Sequence, residues 1–96
     1  MEYDDQIRLG QRFFDDAAPR MAAGYHMEVG EIEWAPRSTM DGSPPDPWPV
    51  RIHLYNSTIV VKVPVDLLVD APADAGAQAN LERILRHQFA SFKAAH

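Results

Sequence analysis

The stretch at residues 50–63, VRIHLYNSTIVVKV, leaves this chain the least freedom in what it can fold into. Val50, Ile52 and Leu54 alternate with Arg51, His53 and Tyr55, and beyond the polar pair Asn56-Ser57 the alternation resumes with Ile59, Val61 and Val63. A period of two belongs to a strand with one buried face. Two such strands around a short polar break read as an antiparallel hairpin. With Asn56 and Ser57 as a two-residue turn, Tyr55 faces Thr58, Leu54 faces Ile59 and His53 faces Val60, while Ile52 faces Val61, Arg51 faces Lys62 and Val50 faces Val63. Every apolar pair then falls on one face, and a slip by one residue would turn that face to solvent. The opposite face receives Arg51, His53, Tyr55 and Lys62.

The segments on either side must cover the apolar face. Ile7, Gly10, Phe14, Ala17 and Met21 recur near helical spacing, with Asp4 or Asp5 as the N-cap and Gly24 as the stop. Pro19 inside this pattern predicts a kink, or an end and a restart. In HMEVGEIEW, Met27 and Val29 share one parity while Ile32 and Trp34 share the other, which places a β-bulge at Gly30. Five prolines mark residues 35–49 as one long loop that carries Met40 and Trp48. After Pro64, VDLLVDAP predicts a turn or a short helical piece, with Leu67, Leu68 and Val69 in the core. The clearest helix comes last: Leu81, Ile84, Leu85, Phe89 and Phe92 share one arc, Asp74 stands near its start, and Arg86, His87 and Lys93 lie toward its end. His96, at the terminus, is expected to fray. The expected architecture is α+β in the order α-β-β-β-α. A three-stranded antiparallel sheet has two helices packed on one face, in a single domain spanning residues 1–96.

Several function classes lose support on composition. The chain has no cysteine, which leaves neither a disulfide framework nor a thiolate metal site. No apolar run approaches the ~18 residues of a membrane span, and the acidic start MEYDDQIRLG does not read as a signal peptide. A cytoplasmic protein that does not engage membranes is expected. Formal net charge is −5, with residues 1–49 at −6 and residues 50–96 at +1, so phosphate backbones are repelled unless the cations gather on one face. The α-β-β-β-α order is also that of the double-stranded-RNA-binding domain. The matching stretch VDAPADAGAQAN, however, holds Asp70 and Asp74 and no cation where that family needs lysines.

His26, Glu28, His53 and Asp66 are residue types that bind zinc or form hydrolytic dyads, but no pair has a ligand spacing such as H-E-x-x-H. There is no G-x-S-x-G elbow and no glycine-rich phosphate loop. The expectation is a chain without catalytic residues, metal or cofactor. NST at residues 56–58 matches a glycosylation sequon and reads as a turn.

Binding to another protein, or to a second copy of itself, is the leading expectation. The surface would be the outer sheet face, a sheet edge or the Pro-rich loop, with Trp48, Arg51, His53, Tyr55 and Lys62 as candidate contacts. If Ile32 and Trp34 point inward, Glu31 and Glu33 point outward beside Arg51 and His53, and the face reads first as a ladder of opposite charges. Two alternatives remain open. One is nucleic-acid binding through Arg51, Lys62, Arg83, Arg86 and Lys93; the other is inhibition of a basic partner by the acidic first half.

Overall fold

The computed structural model describes residues 2–95, and the expectation for His96 lies outside them. Helix α1, Tyr3–Ala23, buries Ile7, Gly10, Phe14, Ala17, Ala18 and Ala22 along one face. Its N-cap is Glu2, so Asp4 and Asp5 lie inside the first turn, where they complement the helix dipole. At Pro19 the helix does not end and restart. The helix runs through it, and burial of Ala17, Ala18 and Ala22 on the core offsets the one lost backbone bond. Gly24 caps the helix in right-handed geometry. The left-handed residue that reverses the chain is His26, at φ 60. Bonds from Met27 N–H to Ala22 O (3.0 Å) and from His26 N–H to Ala23 O (3.1 Å) close the turn as a Schellman motif.

Strands β1 (Val29–Trp34), β2 (Trp48–Leu54) and β3 (Thr58–Val63) form an antiparallel sheet in that order, with β2 central. The bulge expected at Gly30 is present: Val29 pairs with Leu54 and Glu31 with His53, which leaves Gly30 as the extra residue. The hairpin register is different from the expected one. Arg51 faces Val60, Ile52 faces Ile59, His53 faces Thr58 and Lys62 faces Pro49. The turn therefore centres on Tyr55-Asn56, closed by Leu54 N–H to Ser57 O at 2.7 Å. The slip is two residues. An even slip keeps every side chain on its face, so Val50, Ile52, Ile59, Val61 and Val63 are all buried as expected.

Strand β2 also begins earlier than the proline count allowed. Trp48 and Pro49 belong to it, and the loop shrinks to residues 35–47. Pro49 O accepts from Ala35 N–H (3.0 Å), but Pro49 has no N–H to return. The Trp48 indole takes that role, with Nε1–H donating to Ala35 O at 2.7 Å. A proline is thus accommodated in the central strand because a neighbouring side chain supplies the missing donor.

Of the turn or short helical piece expected after Pro64, the structure has the helix: α2, Val65–Asp70, which makes the order α-β-β-β-α-α. Pro64 offers no side-chain cap, and Asp46 of the loop accepts from Val65 N–H at 3.2 Å instead. Leu68 is fully buried, whereas Leu67 and Val69 are half-buried. Gly10 is what lets α2 approach α1: a Cβ there would stand 2.1 Å from Leu68 O. Helix α3, Ala75–Ala95, begins where Asp74 Oδ1 accepts from Gly76 N–H (2.8 Å) and buries Ala77, Leu81, Leu85 and Phe89.

One hydrophobic cluster joins α1, α2 and α3 to the inner sheet face. Phe14, Trp34 and Trp48 form an edge-to-face chain with centroid separations of 5.2 Å at both steps. Fully buried Phe14, Ile52, Leu85 and Phe89 each contribute roughly 1.5–3 kcal/mol. Trp34 Nε1–H donates to Asp15 Oδ1 (3.0 Å). Burial pushes the Asp15 carboxyl up, against the Trp34 hydrogen bond and with help from Asp16.

Candidate functional site

Alternation along the strands delivers one set of side chains to the helices and the other to the opposite face. Across that outer face the register sets three rows: Ala35, Pro49 and Lys62; Glu33, Arg51 and Val60; Glu31, His53 and Thr58. The expected juxtaposition of Glu31 and Glu33 with His53 and Arg51 is therefore present. The unfavourable pair Arg51–Lys62 is absent, because each cation faces an uncharged residue on the neighbouring strand.

His53 ties the three strands together. Its Nε2 lies 2.6 Å from Glu33 Oε1 on β1, and its Nδ1 lies 3.0 Å from Thr58 Oγ1 on β3. A carboxylate only accepts, so Nε2 carries the proton. Nδ1 accepts from the Thr58 hydroxyl when the ring is neutral and donates to it when the ring is charged. Carboxylate, imidazole and hydroxyl in this sequence can activate a nucleophile. Here, however, the group lies on an open sheet face, and the depression beside it is lined by Glu33 but by neither His53 nor Thr58. The geometry links all three strands through one side chain.

The five candidate contacts do not lie together. Arg51, His53 and Lys62 share the outer face, and Tyr55 stands at the tip of the hairpin, 98% exposed. Trp48 lies on the inner face at 3% exposure, capped by the Arg37 guanidinium 5.4 Å from its ring centroid. Burial takes Trp48 out of any contact surface. The loop presents Met40 instead, 95% exposed at a turn closed by Ser38 N–H to Ser43 O (2.8 Å). Ser43 bonds hold the Asp41 carboxyl in that turn below the usual range. Arg37 pins the loop to α1 through Asp4 (3.3 Å) and to its own tip through Gly42 O (3.1 Å).

Val60, Pro49 and Pro36 were missed as surface contributors. Val60 is 53% exposed and, with Ala35, Pro36, Pro49 and the stems of Arg51 and Glu33, lines a shallow apolar depression. A signal for it exists in the sequence: Val60 is the one apolar residue of β3 with outward parity, within the unbroken run Ile59-Val60-Val61. His26 serves the helix terminus, and among the described residues no group of histidines and carboxylates is placed to hold a metal ion. No helix is long and apolar enough to cross a membrane, again among the described residues.

Comparison with protein families, with curated proteins and with solved structures finds no match. The site has to be read from its own chemistry.

The cations fall into two groups. Arg8, Arg20 and Arg37 pair with Asp5, Glu82 and Asp4, whereas Arg12 has no carboxylate within 4.0 Å among the described residues. In the second half, Arg51, Lys62 and Arg86 have no carboxylate within 4.0 Å among the described residues, Arg83 meets only the amide oxygen of Asn80 (2.9 Å), and Lys93 donates to Tyr25 O (3.1 Å). Lys62 of β3 and Arg83 and Arg86 of α3 are thus cations without a carboxylate partner among the described residues, on a chain that is negative overall.

Proposed function

We propose that this chain is a non-catalytic protein-interaction module, acting in the cytoplasm through the sheet surface that its helices leave uncovered. One observation carries the reading. All three helices pack on the inner face, so the outer face, with Val60 and the Pro49 depression, and the hairpin tip with Tyr55 have no cover among the described residues. Apolar and aromatic groups among polar neighbours on an open face are the ordinary composition of a contact patch. The partner is another protein or a second copy.

The test compares the full chain with a Val60→Asp, Tyr55→Ala variant in affinity capture from a native extract and in sedimentation velocity. Both positions are exposed, so the variant keeps its core. A protein, or a dimer, retained by the parent chain and lost in the variant supports the reading. Equal behaviour of the two chains refutes it for this face.

A second reading rests on the unpaired cations: nucleic-acid binding through Arg51, Lys62, Arg83 and Arg86. It predicts binding to a short duplex that strengthens steeply as salt is lowered. Absence of binding at low salt removes it.

A further inference from the structure

The outer face is not the only surface without cover. Leu54 and Ser57 form a hydrogen-bonded pair, so the alternation of an antiparallel ladder assigns Ile59, Val61 and Val63 to bond with β2. The N–H and C=O groups of Thr58, Val60 and Lys62 then point away from β2, along an edge that no strand occupies. Beneath that edge runs α3. A depression between the two is lined by Lys62 of β3 and by Arg83, Ile84, His87 and Gln88 of α3. It is lined by no carboxylate, and neither the Lys62 nor the His87 side chain has a hydrogen bond or ion pair among the described residues.

We infer that the β3 edge receives an extended, acidic segment of a partner protein as a fourth strand. The inference rests on the interaction-module reading and gives it a second surface and a partner chemistry. Three features select this occupant. The free backbone groups ask for a peptide backbone at strand spacing, which a nucleic acid lacks. Alternate side chains of an added strand would point down toward α3, where Lys62, Arg83 and His87 attract carboxylates and Ile84 offers an apolar contact. A second copy of β3 would bring a second Lys62, Arg83 and His87 to the same edge, and like charges oppose that pairing. Lysine on an edge normally discourages strand addition; an acidic strand is the kind it does not repel.

The probe is a blocked synthetic peptide of about eight residues, a usual strand length, alternating Glu and Val. It is titrated into the isotope-labelled full chain and followed by amide resonances. Changes are expected at Thr58, Val60 and Lys62 and at Arg83 and His87, with slower exchange of the three β3 amides. Lys62→Glu with Arg83→Glu, both exposed, should weaken binding by about tenfold or more, and a peptide with proline at the pairing positions should not bind. Changes confined to Arg51 and Tyr55 would overturn the edge assignment and leave the outer-face module standing. No response at all overturns the acidic-strand inference alone, since the Val60 and Tyr55 variant tests the module separately. Tighter binding of a duplex to the same residues, or protection of β3 by self-association, overturns it in favour of phosphate or of a second copy.

Discussion

Pro49 in a central strand is tolerable only if Ala35 O finds another donor, and the Trp48 indole is that donor at 2.7 Å. This makes the two residues energetically coupled, and a double-mutant cycle measures the coupling. Trp48→Phe keeps an aromatic ring in the core but removes the N–H. The carbonyl it abandons is part-buried, so the unsatisfied acceptor costs about 1–2 kcal/mol, and the smaller ring costs roughly 1 kcal/mol more. In the parent background, with Pro49 in place, the total is about 2–3 kcal/mol. In the Pro49→Ala background the outcome changes. Ala35 N–H already bonds to the residue 49 carbonyl at 3.0 Å, so a new N–H at position 49 points back at Ala35 O within the same pair. Trp48→Phe then costs only the ring volume, and the coupling energy is about 1–2 kcal/mol. Pro49→Ala also loosens the unfolded chain, at about 0.4–1 kcal/mol, but that contribution appears in both arms and cancels. Urea unfolding of the four chains, followed by circular dichroism and by tryptophan fluorescence, gives the cycle. Additivity within about 0.3–0.5 kcal/mol would refute the donor-replacement argument, as would a fast-exchanging amide at position 49 in the double variant.

Two further predictions follow from packing and from titration. Gly10→Ala gains up to about 1 kcal/mol of helix propensity, but its Cβ would stand 2.1 Å from Leu68 O and 2.6 Å from Leu68 Cα, so α2 must move and the net effect is destabilising by about 1–3 kcal/mol; a raised urea midpoint contradicts the close approach of α1 and α2. Asp15 has its pKa raised chiefly by burial, so the folded chain takes up a proton there at a higher pH than the unfolded chain does. The group's contribution to stability is thus least favourable above the raised value and improves as pH falls through it toward the ordinary one. Asp15→Asn still accepts from Trp34 Nε1 and carries no charge, so it should raise the midpoint at about pH 7 and lose that advantage on acidification; a lower midpoint at neutral pH contradicts the burial argument.

Much of the fold was legible because period and parity are strong signals. The arc of Leu81, Leu85 and Phe89 and the parity change at Gly30 each required one answer, and the structure has it. What was not legible depended on long-range partners. For VDLLVDAP a turn and a short helical piece were both open, and the carboxylate that caps the helix, Asp46 on Val65, lies nineteen residues away. Pro49 lies in a strand because of a side chain on another residue, and helix α1 passes Pro19 because its small residues are needed in the core. In each case a tertiary contact outweighs a local preference that was read correctly in isolation.

The hairpin register shows how such a difference reaches the candidate site. Burial selects strand parity, and parity is unchanged by a slip of two, so alternation alone leaves two registers equally good on the inner face. They are not equal on the outer face. The register centred on Asn56-Ser57 would set Arg51 opposite Lys62, two like charges on neighbouring strands. The observed one sets Arg51 between Glu33 and Val60, and brings Thr58 within 3.0 Å of the His53 ring. Neither Tyr55 nor Asn56 has a positive φ, so the turn is not of the primed kind common in two-residue hairpins, and the turn sequence did not decide the matter. The outer-face pairs do favour the observed choice. They remove one repulsion and link all three strands through His53, and the same shift lays Val60 beside Pro49 and Arg51 to make the apolar depression. The composition of the proposed contact surface is therefore a consequence of the register, and the register is the part of this hairpin that hydrophobic patterning cannot see.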